Sequence, residues 1–304
     1  MMHFSSAERL DALTVADRIH MPTSMTAMLE RFRPWYESHD LIQDSAAQLT
    51  NPHGWKAAKD ELDAMLPGGD VQAEGYGVGM LYCMLSAAGI VHERYQSMGI
   101  GEDEFDATMG CFTRFVCEHH RWYGTWGFDR AFWTGRETSM LLFRIGTLEY
   151  EMIDGPSAMP DALASRLPET AGSLSISMHI PSDADLRVER CMESIQRARL
   201  FFGRHFPAYA DAPYWCESWL LSPQLDGLLG RESHILAFQR LFDIVGAQRS
   251  EDYRVWVYDN DQAPAARLPE RTSLQRSMKD HLLAGGRIDN GIGLLRESWS
   301  GAVR

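Results

Sequence analysis

The sequence predicts an α+β chain, an all-helical first part followed by a mixed β-sheet part with flanking helices. Three observations predict it. Apolar residues recur at helical spacing in successive segments up to Val116, among them Leu10 to Ile19, Met80 to Val91 and Phe105 onward. Two later runs, residues 148–153 and 174–180, alternate apolar and polar side chains with the period of two that a strand imposes. Between Leu148 and Leu295 the order of elements reads strand, strand, helix, strand, helix, strand, helix, strand.

The helical segments are separated by Pro22, Pro34, Pro52, Pro67 with Gly68 and Gly69, and Gly99 with Gly101. They predict a helical domain over residues 1–130, a sheet domain over 131–296 and a polar tail over 297–304. The boundary falls in an aromatic stretch, Trp122, Tyr123, Trp126, Phe128, Phe132 and Trp133, whose large apolar area suits packing between elements or domains better than a ligand cage.

In the second part, residues 136–143 suit a helix, and Leu148, Tyr150 and Met152 then share one face of a strand. A loop containing Gly155, Pro156, Pro160, Pro168 and Gly172 separates it from the next strand and is long enough to serve as a lid. In that strand Leu174, Ile176, Met178 and Ile180 face one way, and Ser175, Ser177 and His179 the other. Val188, Cys191, Ile195, Ala198 and Phe202 form the apolar stripe of a helix, with Ser182 or Asp183 as N-cap. Residues 214–221 read as a strand with Trp215, Glu217 and Trp219 on one face and Cys216 and Ser218 on the other. Ile235, Phe238, Phe242 and Val245 suit a helix, and the β-branched and aromatic run 253–258 a short strand. Thr272 and Gln275 form a capping box for a helix ending at Gly285 and Gly286, after which residues 290–295 close the sheet.

Composition bounds the function. A chain of 304 residues with 45% hydrophobic and 23% charged residues is an ordinary globular protein. Its net charge of -13 argues against nucleic acid or an anionic membrane surface as a partner, since both need a basic footprint. Five cysteines, Cys83, Cys111, Cys117, Cys191 and Cys216, lack CxxC or CxxH spacing, which argues against a disulfide framework or structural zinc and fits a reducing cytoplasm. Charged residues through the start of the chain leave no apolar core for a signal peptide, and no run approaches the ~20 apolar residues of a membrane helix. The glycines at 75, 77 and 79 lack the strand and the Lys-Ser/Thr of a phosphate loop, and adjacent His119 and His120 diverge by ~100° on a helix, so neither pattern supports a phosphate or metal site. Arg271, Arg276 and Lys279 form a basic helix face, solvated or available to a phosphate.

The strings RETSMLLFRIGTLEYEM, SISMHIPSDADL, FFGRHFPAY, CESWLLSPQL and RTSLQRSMKDHLLAGGRIDNGIG together resemble bacterial acyltransferase-domain proteins with a helical N-terminal domain and a GNAT-like C-terminal domain. The resemblance spans most of the chain. It implies that residues 174–180 act as the superfamily's fourth strand, 186–206 as the following helix and 214–221 as the fifth strand, the two strands splaying to admit acyl-CoA. It also implies a diphosphate grip between the fourth strand and the helix, normally glycine-rich so that backbone amides meet the phosphates. Here that place reads IPSDADLRVER. Ser182, Asp183 and Arg187 are the cofactor-binding candidates, with Asp183 and Asp185 opposing the phosphates and Arg187 and Arg190 offsetting them. Like charges ~4 Å apart repel by about 1 kcal/mol in water and more at lower dielectric.

Acyl transfer to an amine needs a group that takes the nitrogen's proton and a donor for the thioester carbonyl. His179 and Glu217 are the two candidate bases, the first for the unperturbed imidazole pKa of ~6.5, the second for desolvation between Trp215 and Trp219. Cys216 is a third candidate, as nucleophile, and Tyr258 a candidate acid for the leaving thiolate. The expected activity is acyl-CoA-dependent N-acylation of a small-metabolite or peptide amine, with the helical domain and the 155–172 loop shaping the acceptor pocket. The alternative is a non-catalytic binding module on the same fold. Acceptor, acyl length and oligomeric state are not encoded in any motif.

Overall fold

The computed structural model describes residues 9–155, 159–166, 174–259 and 261–296. Contacts divide the chain into two compact units, residues 1–143 and 144–304.

The first unit is helical: α1 (Ala12–Arg18), α2 (Thr23–Glu37), α3 (Asp40–Gln48), α4 (Trp55–Met65), α5 (Val78–Met98), α6 (Glu102–Tyr123) and α7 (Ala131–Thr138). The helix α7, assigned from sequence to the second domain, thus falls on the first unit's side of the division. Nearly every side of α5 is buried, from Met80 and Leu81 round to Val91 and Tyr95, which makes it the core helix. Gly89 permits this: a Cβ there would lie 2.0 Å from the Leu10 carbonyl oxygen. Gly99, at φ 67°, ends α5, with the Ile100 N–H donating to the Tyr95 carbonyl. The first turn of α6 carries Glu102, Asp103 and Glu104, which complement the helix dipole. Gly77 lies where the chain enters α5 in left-handed geometry, and the Phe128 N–H donates to the Tyr76 carbonyl beside it, so the glycines at 75 and 77 serve a turn. His119 is fully buried between the carbonyl oxygens of Thr125 and Val71. In the aromatic stretch, Trp126 stacks on His120 at 4.0 Å and Phe128 packs on Phe112, whereas Phe132 is exposed.

The second unit is built on a six-stranded mixed sheet. Its strands are β1 (Leu142–Ile145), β2 (Leu148–Asp154), β3 (Leu174–His179), β4 (Tyr214–Ser218), β5 (Phe242–Gln248) and β6 (Asn290–Leu295), in the order β1-β2-β3-β4-β6-β5. The helices are α8 (Asp161–Ala164), α9 (Val188–His205), α10 (His234–Gln239), α11 (Tyr253–Val257) and α12 (Ser273–Leu283). The domain division falls inside β1, a strand occupying the end of the segment read as helical.

Further segments differ from the sequence expectation. Phe242 and Val245 sit in β5, because the helix from His234 stops at Gln239; the short apolar run fits both periods, and pairing along β6 decides it. Residues 253–257, rich in β-formers, are the helix α11 instead of a strand: Tyr253 and Val257, one turn apart, enter the same buried cluster as Met278 and Ile288. Nor does β6 close an edge; it lies between β4 and β5. The capping box of α12 is present with both of its hydrogen bonds.

Of the expected lid, residues 156–158 and 167–173 (Pro156, Pro168 and Gly172 among them) lie outside the described residues, as does the tail 297–304. Its described middle docks on the sheet, where Met159 and Leu163 pack with Trp215 and Ile292.

Candidate active site

The site follows from how β3 meets β4. These strands run parallel, and their register joins Ile176 to Tyr214 and Ser177 to Trp215. It goes no further, although β3 continues to His179, paired with Glu149 of β2, and β4 continues to Ser218, paired with Gly291 of β6. Each strand thus stays with its outer neighbour while the two part from each other. The sheet opens as a V between Met178 and His179 on one side and Cys216, Glu217 and Ser218 on the other.

The two faces of the sheet differ in chemistry. One carries Tyr150, Ile176 and Tyr214 and is covered by α9, whose Phe202 ring lies 6.4 Å from that of Tyr150. Ser194 of α9 is buried there, donating to the Ile145 carbonyl and accepting from the Leu148 amide and, at 2.8 Å, from the Tyr150 hydroxyl. The opposite face, by the alternation of side chains along paired strands, carries Glu149, Glu151, Ser175, Ser177, His179, Trp215 and Glu217. Trp215 Nε1 donates to Ser175 Oγ at 3.0 Å, joining β4 to β3 below the fork.

On that polar face His179 Nε2 lies 2.8 Å from Glu151 Oε2, with side chains 21% and 14% exposed. The carboxylate and imidazole form a hydrogen-bonded pair in which the glutamate orients the ring. Glu217 shares this face and is half-buried; burial pushes its carboxyl above the usual range, the Asn290 amide partly offsets this, and the nearby Asp252 charge adds to it. Its expected enclosure between two tryptophans is corrected: Trp219 has left the strand for a 3-10 turn over Trp219–Leu221. Gly291 admits that turn, since a Cβ there would lie 2.0 Å from the Leu221 carbonyl oxygen.

Cys216 and Tyr258 are placed away from this face. Cys216 is fully buried on the opposite side of β4, and burial raises its thiol far above the usual range, so a thiolate nucleophile is disfavoured. Tyr258 follows α11 inside an apolar cluster, 1% exposed, with its hydroxyl donating to the Gln275 carbonyl at 2.9 Å. Burial pushes it up to about 12.

The β3–α9 loop holds Ser182, Asp183 and Arg187. Neither Ser182 nor Asp183 caps α9; Arg187 occupies that position. Both aspartates are charge-compensated: Asp183 accepts from Arg144 Nη1 at 2.9 Å, and Asp185 accepts from the Arg187 guanidinium and backbone N–H, which hold it down at about 2. The Asp185 N–H donates to Thr147 Oγ1 at 2.6 Å, fastening the loop to the β1–β2 turn. The first amides of α9, at Val188 and Glu189, have no acceptor within the helix. The basic face near the end of the chain is self-paired: Lys279 bonds Glu270 and the Leu268 carbonyl, and Arg271 lies 3.7 Å from Asp259.

Sequence reasoning missed Glu151 and Arg144. The signal for Glu151 was present, because once Tyr150 and Met152 are assigned to the apolar face the glutamates beside them fall opposite. Arg144 carried no signal, since its strand was not recognised. Among the described residues no group of three or more His, Cys, Asp or Glu is placed to hold a metal ion, and no helix is long and apolar enough to cross a membrane.

A helical part followed by a mixed sheet that forks between two parallel strands is the architecture of the GNAT-like acyltransferase class. A model of the GNAT-like C-terminal domain matches residues 142–295 and a model of the N-acyltransferase N-terminal domain matches residues 11–140; the chain belongs to this acyltransferase family. Three solved structures share the fold. An acyltransferase in complex with decanoyl-CoA and teicoplanin is 21% identical, with TM-score 0.62 and coverage of 94% of this chain and 100% of that one. An acyltransferase with CoA and 10C-teicoplanin is 22% identical, TM-score 0.63, covering 94% and 100%. An acyltransferase with decanoyl-CoA is 24% identical, TM-score 0.62, covering 94% and 99%. No curated protein matches the chain.

Proposed function

We propose that the protein transfers an acyl group from an acyl-CoA thioester to an amine of a small metabolite or peptide. The observation that carries this reading is the fork beyond Ser177 and Trp215 with the His179–Glu151 pair on its polar face. The solved acyltransferases of the same fold contain CoA or decanoyl-CoA, and two contain teicoplanin or its 10C form, which supports acyl-CoA as the co-substrate and a glycopeptide amine as one acceptor type.

In this reading the thioester enters the fork and the diphosphate meets the loop before α9. The amides of Val188 and Glu189 supply donors at the positive end of the helix. Ser182 adds a hydroxyl and Arg187 a charge, while Arg144 compensates Asp183. The acceptor nitrogen attacks the thioester carbon, His179 takes its proton, and Glu151 stabilises the resulting imidazolium. The C–S bond breaks and the CoA thiolate leaves after gaining a proton, for which the elevated carboxyl of Glu217 is the available group on the facing strand.

The test is release of free CoA thiol from acetyl-, octanoyl- and decanoyl-CoA in the presence of a panel of amines that includes glycopeptides. Amine-dependent thiol release with formation of the amide is the expected result. Tight acyl-CoA binding without turnover on any amine would overturn it in favour of a binding module.

A further inference from the structure

Glu217 has polar support on its far side. It is registered opposite Ile292 of β6, so Asn290 occupies the diagonal position two residues along the same face, within reach of a long side chain. Asn290 is buried, 6% exposed, and its Nδ2 donates to Asp252 Oδ2 at 2.8 Å. Asp252 lies in the turn before α11 and is exposed. An amide nitrogen carries two hydrogens. One is engaged by Asp252, which leaves the other free to face the diagonal Glu217, whose proton affinity this amide lowers. Asn290 Oδ1 is buried with no hydrogen-bond partner among the described residues, so only the nitrogen side of the amide sets its orientation. Turning the group over would set Oδ1 against the Asp252 carboxylate.

We propose that Asn290 is a positioning residue that links the carboxyls of Glu217 and Asp252 and holds Glu217 on the face that carries His179, where β3 and β4 part. The proposal rests on the reading of Glu217 as an acid–base group of the transfer. The titratable groups that act on Glu217 are Asp252 from the turn before α11 and Cys216 on its own strand; His179 and Glu151 share its face of the sheet across the fork, and α8, which packs on that face, carries the exposed Asp161. Asp252 and Asn290 act on it in opposite directions, the charge raising its proton affinity and the amide lowering it.

The experiment follows the Glu217 carboxyl by ¹³C NMR titration, assigned by its absence in Glu217→Gln, beside the pH profile of kcat/KM. In Asp252→Asn the midpoint is expected to move to lower pH. In Asn290→Ala, and in Asn290→Asp, which preserves the side chain's shape, it is expected to move to higher pH. Each shift should be about half a unit or more, and the corresponding limb of the rate profile should move with it. A midpoint unmoved by all three substitutions overturns the link. Midpoints that move while the rate profile stays fixed overturn the role of Glu217 in the reaction, and loss of acyl-CoA binding in unaltered protein would instead remove the transferase reading itself.

Discussion

His179 on β3 and Glu151 on β2 stand 2.8 Å apart, one diagonal step across an antiparallel pair in which His179 is registered with Glu149 and Glu151 with Ser177. The pair is set by strand register alone, with no loop in its construction, which makes it a rigid element of the site. If it supplies the general base, His179→Ala lowers kcat by roughly 10²- to 10⁴-fold with acyl-CoA affinity retained. Removing a hydrogen bond to a charged partner costs about 1.5–3 kcal/mol, so Glu151→Gln is expected to lower kcat roughly tenfold to a hundredfold. Steady-state kinetics beside calorimetry separates these effects from loss of binding.

The β3–α9 loop gives a charge prediction. If the diphosphate binds at this loop as proposed, Asp183→Asn and Asp185→Asn each remove a negative charge beside it and are expected to tighten CoA binding, whereas Arg187→Ala is expected to weaken it. Salt should narrow the differences, because these groups are exposed and screened within about 10 Å at 0.1 M. Titration calorimetry at two salt concentrations measures both trends.

Ser194 ties α9 to the sheet. Its replacement by alanine leaves the Ile145 carbonyl, the Leu148 amide and the Tyr150 hydroxyl without their shared partner, at a cost of about 1–3 kcal/mol. Combining it with Tyr150→Phe removes one of the stranded groups and is expected to destabilise by less than the sum of the single changes. Chemical denaturation of the four proteins of this double-mutant cycle tests the coupling.

In the helical unit Glu102 accepts from His92 and Arg18 at 2.8 and 2.7 Å. Burial pushes its carboxyl up, but these two partners outweigh that and hold it below its usual value of 4.5. The folded pKa being depressed, the contribution is present above the unfolded value and is lost as pH falls through the folded one. Glu102→Gln is therefore expected to cost no more than about 1 kcal/mol near neutral pH and progressively less as pH drops below about 4.5. Thermal melts across that range read the difference.

The sequence revealed elements whose pattern was long and unopposed. The stripe from Val188 to Phe202 specified α9, and the alternation of Ser175, Ser177 and His179 placed the polar face. It failed where a short apolar run fits two periods. Phe242 and Val245 satisfy helical spacing from Ile235, yet β6 offers them a ladder, and Tyr253 with Val257 gain more from burial in one cluster than from strand propensity. From Leu148 the number of strands is as expected, because β5 takes the place of the strand read at 253–258, but α8 and α11 add two helices to the expected order. His179 and Glu217 were visible as polar residues on strands. Arg144 and Asn290 were not, because their parts in the site depend on which strands become neighbours, and the insertion of β6 between β4 and β5 is a property of the folded sheet.

The most direct test of the central claim is calorimetric titration of the protein with decanoyl-CoA, acetyl-CoA and free CoA. Micromolar binding that His179→Ala preserves and Arg187→Ala weakens is the predicted result. Absence of binding to all three would contradict the account, because the fork between β3 and β4 would then not be an acyl-CoA site.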